Sequence, residues 1–346
     1  MSAAAVNTEA AYPSLDEARM LAAELLRSAG TPATAAQAIA HSLVLAELLG
    51  HASHGLMRVI EYLDAVADGQ VRPAETPVVA SRAGSTAVVD GRWGWGHLAA
   101  ELGARTATEI AGDTGVGLVA VRNCNHSGRL GEWVEYIAGN GLIGAGFLSC
   151  GPAVAPLGGV ERVLGTNPLA VAIPTGDEER PVVLDFATAG VAEGKIRVAA
   201  QAGRPAPAGV LQTADGQATT DPREFYAGGS ILPFGAHKGY GLSVVIQLLG
   251  EALAGGGRPD DPRSAAANGL VLLAFSPAGL REPADFTARV DECRDRILAS
   301  RPADPGAPVL MPGDVEARHA AAQPPGRLRV SARLWADLRR RGKGGS

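Results

Sequence analysis

The chain has 346 residues, of which 46% are hydrophobic, so it can bury one large core or two moderate ones. Its formal net charge of -5 provides no general basic field, which argues against nucleic acid as a partner. No run of residues approaches the ~20 apolar positions that a membrane-spanning helix needs, so we expect no membrane contact.

The cysteines indicate the compartment. Cys124, Cys150 and Cys293 are widely separated, odd in number and without Cys-x-x-Cys spacing. This pattern argues against a disulfide framework and against a structural zinc site. We therefore expect a soluble protein of the reducing cytoplasm.

The N-terminal stretch predicts three helices. A capping box beginning at Ser14 opens the first, and Pro32 stands at the first position of the second. Ser53 is a good N-cap for the third, which would end near Gly69. Residues 1–80 are thus expected to form a helical N-terminal segment.

The third of these helices carries a chemically suggestive stripe. His54, Arg58 and Tyr62 are spaced by four residues, which places them on one helix face. A guanidinium can hold a carboxylate with two parallel hydrogen bonds, while an imidazole passes a proton to a neighbouring oxygen or nitrogen. The alternative is that His54 merely caps a helix and Arg58 lies in solvent.

Strands then alternate with helices, and one turn imitates a dinucleotide fingerprint. Gly94-x-Gly96-x-x-Ala99 follows a predicted strand at 86–89 and precedes a predicted helix. In a Rossmann fold the strand should be apolar up to the glycines, but Asp90, Gly91 and Arg92 intervene. The acidic residue expected after the second strand is also missing, so the pattern does not predict a Rossmann fold.

Two later turns are typical of anion binding, because each is rich in glycine and precedes a predicted helix. The first spans residues 123–131, and the second spans 232–242 and contains Lys238. The second turn reads equally well as an ordinary connection between a strand and a helix. Asp185 ends a predicted short strand, a position at which a buried carboxylate often orients a catalytic histidine.

Short motifs follow in a specific order at residues 50–55 with Arg58 and Tyr62, and at 123–128, 154–159, 165–168, 185–188, 194–195, 221–222 and 232–239. These motifs, in this order, make the chain resemble the malate/L-lactate dehydrogenase family that is unrelated to the Rossmann-type enzymes of the same name. The resemblance covers about residues 15–338. That family includes sulfolactate, ureidoglycolate and diketogulonate oxidoreductases, and reductases of Δ1-piperideine- and Δ1-pyrroline-2-carboxylate.

The resemblance implies an α/β (α+β) fold with a mixed-sheet, non-Rossmann NAD(P)-binding domain. It implies that residues 81–240 form this domain, and that the N-terminal segment 1–80 packs with a C-terminal segment 241–346. It also implies a homodimer whose active site lies in a cleft near the dimer interface.

The resemblance also implies residue roles. His54 would be the proton donor, Asp185 its orienting carboxylate, Arg58 the carboxylate clamp and His126 a second substrate-side group. The expected substrate-binding residues are Arg58, Tyr62, Ser53 and Ser149. The expected cofactor-binding residues are His126, Ser127, Gly128, Thr166, Asn167, Asp185, Thr188, Lys195, Pro233, Phe234, Gly235, His237 and Lys238.

The predicted reaction is reduction of a 2-oxo acid to a 2-hydroxy acid by hydride from NADPH or NADH, with His54 as an imidazolium whose pKa Asp185 raises. NADPH is favoured because Arg122, Arg129, Lys195 and Arg197 could each meet a 2′-phosphate, and no acidic residue is placed for a ribose 2′-hydroxyl.

Three alternatives remain. The substrate could be a cyclic ketimine carboxylate, because it also presents a carboxylate beside a reducible carbon. The chain could be a non-catalytic nucleotide-binding subunit, since Leu49, Ser127, Leu148-Ser149, Ala189 and Gly209-Val210 depart from the family pattern around the expected pocket. A metal site on His51 and His54 is a weaker alternative, because no motif supplies a further ligand.

Overall fold

The structure, a computed structural model, describes residues 9–178, 180–256, 263 and 267–343. Its helices are α1 (Leu15–Ser28), α2 (Ala33–Leu48), α3 (Arg58–Ala67), α4 (Gly96–Thr114), α5 (Leu130–Ala138), α6 (Glu193–Gln201), α7 (Arg223–Tyr226), α8 (His237–Leu248), α9 (Pro283–Leu298), α10 (Asp314–Ala321) and α11 (Ala332–Lys343). Its strands are β1 (Ala10–Ala11), β2 (Val78–Ala83), β3 (Thr86–Asp90), β4 (Val116–Cys124), β5 (Ile143–Ser149), β6 (Pro168–Ile173), β7 (Val182–Ala187), β8 (Leu211–Gln212), β9 (Ala218–Thr219), β10 (Ser230–Ile231), β11 (Asn268–Phe275) and β12 (Val330–Ser331).

The central sheet has seven strands in the order β2-β3-β4-β11-β5-β6-β7. Strands β3 and β4 pair in parallel, and every other neighbouring pair in this sheet is antiparallel. A Rossmann domain instead has a mostly parallel sheet. The expectation of a mixed-sheet, non-Rossmann α/β fold is therefore confirmed.

The structure explains the glycine pattern at the start of α4. A Cβ atom on Gly96 would lie 2.1 Å from the backbone oxygen of Asn125 and 2.4 Å from that of His126. The Asn125 side-chain amide donates to the backbone oxygen of Gly94 at 2.9 Å. Gly96 thus lets α4 approach the turn that carries His126, so this pattern serves close packing between two backbones.

The described residues form three hydrophobic cores. The first lies between the seven-stranded sheet and helices α4 and α5. The second joins α1, α2 and α3 to the C-terminal α11, and there Leu26, Leu43 and Leu338 are almost fully buried. The third surrounds Ile196 of α6 and the small sheet β10-β8-β9.

The C-terminal residues contribute to two of these units. Helix α11 packs on α1, whereas β11 lies at the centre of the sheet between β4 and β5. The sheet also begins at Val78, before the expected boundary at residue 80. Among the described helices, none combines the length and apolarity that crossing a bilayer requires.

Candidate active site

The turn before α3 differs from the prediction. Residues Ala52–His54 form a single 3-10 turn, and α3 begins only at Arg58, so the expected helix start at Ser53 is wrong. The buried carboxylate of Glu47 accepts the backbone N–H of Leu56 at 3.0 Å. A Cβ atom on Gly55 would lie 2.1 Å from that carboxylate, so Gly55 allows the chain to bend around it. His54 therefore lies in a turn that precedes α3, whereas Arg58 is the first residue of the helix.

His54, Tyr62 and His126 nevertheless lie together. The rings of His54 and His126 stack with centroids 5.4 Å apart. The Tyr62 hydroxyl lies 2.7 Å from His126 Nδ1, and the backbone N–H of Gly128 donates to the same nitrogen at 3.3 Å. Because a backbone N–H can only donate, Nδ1 must be an acceptor. His126 is therefore neutral with its proton on Nε2, and the Tyr62 hydroxyl donates to it.

Burial controls the charges of this cluster. Burial, followed by the charge of Arg58, lowers the pKa of His54 to about 3 and that of His97 to about 3. The same two causes lower the pKa of His126 well below its usual value. All three imidazoles are consequently neutral near pH 7. The expectation of a His54 imidazolium with a raised pKa is wrong for the protein without substrate.

Asp185 has another partner. Its Oδ2 accepts the backbone N–H of Gly131 at 2.7 Å, and burial raises the pKa of Asp185 to about 6 although Arg129 lies nearby. His54 Nδ1 instead lies 3.0 Å from the hydroxyl oxygen of Ser53. The expected orientation of His54 by Asp185 is therefore not formed within this chain, because each group is engaged locally.

Arg58 is held close to the His54 turn. Its Nε donates to the backbone oxygen of Ser53 at 2.7 Å, and its Nη1 pairs with Glu61. The side chain is 19% exposed, so it is available to a small ligand while remaining shielded from bulk solvent. This excludes the reading of Arg58 as a free surface residue.

Several expected ligand-binding side chains are engaged inside the protein. Asn167 is fully buried, and its amide donates to Gln247 Oε1 at 2.6 Å while its Oδ1 accepts the backbone N–H of Cys150. The Thr188 hydroxyl lies within hydrogen-bond distance of the backbone oxygens of Thr166 and Asn167. Ser149 is buried against the backbone of Gly269. These side chains stabilise the backbone of the segments that they contact.

The remaining expected cofactor residues lie in separate places. A cavity of about 970 Å³ is lined by Arg129, Arg180 and Asp185 together with α9 and α10. A second cavity, of about 550 Å³, is lined by Pro233, Phe234 and Gly235. His237 and Lys238 are exposed at the start of α8.

Two expected cofactor residues directly follow His126 in the chain, and a third lies near His51. The buried Ser127 hydroxyl has no hydrogen-bond partner among the described residues. Gly128 has φ +77° and lies over His97. Lys195 is close enough to His51 to help lower its pKa, after burial and Arg129.

Sequence reasoning did not select His97. It lies in the first turn of α4, 2% exposed, with its ring edge-on to Tyr62 at 5.7 Å. Neither ring nitrogen has a hydrogen-bond partner within the described part of the chain. Nothing in a single sequence distinguishes this histidine from a helical surface residue. Within the same residues, no group of three or more histidine, cysteine or acidic side chains is arranged to hold a metal ion.

A family model, two curated relatives and a solved structure all show which proteins the chain is similar to. The family model described as malate/L-lactate dehydrogenase matches residues 14–339. The chain is 36% identical over 299 residues to an L-sulfolactate dehydrogenase of Methanothermobacter thermautotrophicus, covering 85% of each protein. It is 36% identical over 336 residues to an L-lactate dehydrogenase of Cupriavidus necator, covering 94% of this chain and 96% of that one. The crystal structure of a delta1-piperideine-2-carboxylate reductase from Pseudomonas syringae pvar. tomato superposes with a TM-score of 0.86 at 28% identity, covering 96% of this chain and 99% of the other.

Proposed function

The chain belongs to the malate/L-lactate dehydrogenase family and is an NAD(P)-dependent oxidoreductase; within that activity, we propose that it interconverts a 2-oxo acid and its 2-hydroxy acid. The observation that carries this proposal is the neutral, half-buried imidazole of His54, which stacks on the ring of His126 and is close enough to Arg58 for the guanidinium charge to help lower its pKa. An uncharged proton carrier beside a cationic anchor suits a small carboxylate with an adjacent reacting carbon.

Arg58 holds the substrate carboxylate in this mechanism. Its planar guanidinium can donate two parallel hydrogen bonds to a carboxylate, which fixes the position of the neighbouring carbon. The exposed part of the side chain, next to the His54 turn, supports this role. Tyr62 and Ser53 orient the two histidine rings through their contacts with His126 and His54.

His54 moves the proton. When a 2-hydroxy acid is oxidised, the neutral imidazole accepts the hydroxyl proton as a general base. In the reverse direction an imidazolium must donate that proton. Arg58 lowers the pKa of His54, second to burial. A carboxylate bound to Arg58 offsets this positive charge and therefore raises the pKa of His54 towards the protonated form.

The residues around the larger cavity fit a nucleotide. Its volume of about 970 Å³ lies in the range of small-molecule and cofactor sites. Arg180 lines it with a 67% exposed side chain that could meet an anionic ligand, whereas Arg129 is buried and paired with Glu135. Arg129 also contributes to the low pKa of His54, which supports its position near the reacting centre. A bound nicotinamide supplies or accepts the hydride.

We propose NADPH as the preferred cofactor. Arg180, which is 67% exposed and lies 4.0 Å from Asp314, lines the larger cavity and could meet a 2′-phosphate. Arg122, Arg129 and Arg197 are instead paired with Asp90, Glu135 and Glu193. Asp177 lies in the same wall and would favour the ribose hydroxyl of NADH. Parallel titrations with the two cofactors, followed by nicotinamide fluorescence, decide between them.

A ketimine carboxylate is the second candidate substrate. It is supported by the likeness to the piperideine-2-carboxylate reductase. The same Arg58 and His54 could hold the carboxylate and protonate the nitrogen of such a compound. A non-catalytic nucleotide-binding role is less well supported, because the cluster of His54, Arg58, Tyr62 and His126 is assembled.

We further propose a cytoplasmic homodimer. Helix α8 and the turn after it expose Val245, Leu248 and Leu253 at 52%, 60% and 55%. A second copy of the chain covering this face would remove apolar area from water. Light scattering should give twice the chain mass for the wild type, and Leu248→Glu should shift the mass towards one chain.

The reaction is tested by following NADPH and NADH oxidation with pyruvate, oxaloacetate and Δ1-piperideine-2-carboxylate in turn. Turnover of an oxo acid at a kcat/KM at least about tenfold above that of the ketimine supports the proposal. A reversed order makes the protein a ketimine reductase. No turnover with any of the three, together with normal cofactor binding, would overturn both substrate assignments.

A further inference from the structure

The expected carboxylate clamp already holds a carboxylate of its own chain. Glu61 follows Arg58 by three residues on α3, and one of its oxygens pairs with Arg58 Nη1. Its other oxygen pairs with Arg197 Nη1 of α6. One carboxylate is thus shared between two guanidinium groups. The side chains of Arg58, Glu61 and Arg197 are 19%, 30% and 31% exposed, so the pairs are half-buried.

Arg197 is anchored on its own side of the site. Its Nη2 donates to Glu193 at 2.7 Å, and its Nε donates to the same carboxylate at 3.3 Å. The Tyr226 hydroxyl donates to Glu193 as well, at 2.8 Å. Since α3 contributes to the second hydrophobic core and α6 to the third, Glu61 bridges two separately packed units. Arg197 is therefore a fixed cation towards which Glu61 can be drawn.

This arrangement sets up a competition at Arg58. A substrate carboxylate needs the terminal nitrogens of the guanidinium for two parallel hydrogen bonds. Glu61 occupies one of these nitrogens. An incoming carboxylate must therefore displace Glu61, which keeps its charge-assisted bond to Arg197 when it leaves Arg58.

We propose that Glu61 is an internal competitor for the substrate carboxylate, and that Arg197 is a positioning residue that keeps Arg58 available by holding Glu61 away from it. This inference rests on the proposed role of Arg58 as the clamp. It assigns to Glu61 and Arg197 opposite effects on substrate affinity, although they are partners in one ion pair. A merely structural bridge would give both substitutions the same sign.

The test measures two constants: KM for the substrate, and the inhibition constant of oxamate. Oxamate serves as the probe because it carries a carboxylate but does not react. Glu61→Gln should lower both about fivefold with kcat unchanged, because a competing charge of the strength of a partly exposed ion pair is removed. Arg197→Met should raise both by a similar factor, because Glu61 then binds Arg58 alone. In the double variant the Arg197→Met effect should disappear.

A matched control is available at Arg82, which also bridges two carboxylates, Glu109 and Asp113, on a distant surface. Arg82→Met should leave KM and the oxamate constant unchanged. Thermal melting of every variant shows whether a change in affinity is accompanied by loss of folded protein.

The outcomes separate this inference from the proposed function. If Arg58→Lys leaves oxamate binding unchanged, the clamp is elsewhere and both proposals fail. If Arg58→Lys weakens oxamate binding but Glu61→Gln does not tighten it, the competition alone is refuted. An Arg197→Met effect that persists in the Glu61→Gln background also refutes it.

Discussion

The imidazole ring of His126 lies against that of His54, with an angle of 29° between their planes. The contact joins the turn before α3 to the turn before α5, so the two histidines are fixed relative to each other by different elements. Because the two half-buried rings are in contact, a positive charge on one disfavours a positive charge on the other. The pair can therefore hold one proton far more readily than two.

Replacing His54 by alanine should abolish most of the proton transfer. General acid–base catalysis typically contributes about 100- to 10,000-fold, so we expect kcat to fall by at least about 100-fold. Nucleotide affinity, measured by fluorescence titration, should change less than about threefold, which is a small free-energy difference. A His54→Ala protein with near wild-type kcat would refute the assignment.

Arg58→Lys should separate charge from geometry. A lysine ammonium keeps the positive charge but cannot form the bidentate arrangement, so KM should rise about tenfold or more. The measurement is steady-state kinetics with oxo acids of different length. An unchanged KM would place the carboxylate site elsewhere.

The pH dependence of kcat/KM should reflect the lowered pKa of His54. With the pKa of His54 lowered to about 3, the base form is already complete at pH 5. We therefore expect kcat/KM for oxidation of the hydroxy acid to lack the usual decline near pH 6.5 that a free histidine causes. A clear decline centred near pH 6.5, lost in His54→Gln, would show that His54 titrates like an exposed imidazole.

Glu132 predicts a pH-dependent stability. Burial raises its pKa from 4.5 to about 7, although the Ser42 hydroxyl donates to it. Between these two pH values the unfolded chain has lost a proton that the folded protein keeps, so this group destabilises the fold as pH rises. Glu132→Gln should match the wild type at pH 4.5 and exceed its free energy of unfolding by up to about 3 kcal/mol at pH 8.

Urea denaturation at both pH values provides the measurement. Glu24→Gln, on the exposed face of α1, is the matched control and should change stability by less than about 0.5 kcal/mol at either pH. A Glu132→Gln protein that is destabilised equally at the two pH values would mean that the native carboxylate is ionised and paired.

Replacing each of two glycines of α4 by alanine should change the stability of the protein in opposite directions. A Cβ atom at Gly96 would overlap the backbone of residues 125–126, so Gly96→Ala should cost about 1–3 kcal/mol and reduce kcat by displacing His126. Gly112 has no atom within 4 Å of such a Cβ atom, so Gly112→Ala should stabilise the helix by up to about 1 kcal/mol. Thermal unfolding compares them directly.

Much of the fold could be predicted from local patterns in the sequence. The capping box of Ser14 and Glu17 opens α1 as predicted, because both hydrogen bonds are made within four residues. The polar residues between β3 and the glycines correctly argued against a Rossmann strand. By contrast, β2 was missed since it is a largely exposed edge strand without an alternating pattern.

The site depends more on contacts that are distant in sequence. The start of α3 is set by Glu47 of α2, which no helix-capping rule for Ser53 includes. The sequence singled out His54 and Arg58 but not their hydrogen-bond and ion-pair partners. His54 contacts Ser53 rather than Asp185, and the pairing of Glu61 with both Arg58 and Arg197 was not predicted. The charge of a buried histidine follows from packing, which spacing alone does not reveal.

The central position of β11 has a consequence for biosynthesis. Strands β2–β4 and strands β5–β7 meet only through residues 268–275 in this sheet. A nascent chain that ends at residue 240 therefore carries two half-sheets with open edges facing each other, each able to pair wrongly with other chains. Residues 268–275 must therefore leave the ribosome before the central sheet can close, so the unfinished polypeptide keeps these edges open for most of its synthesis.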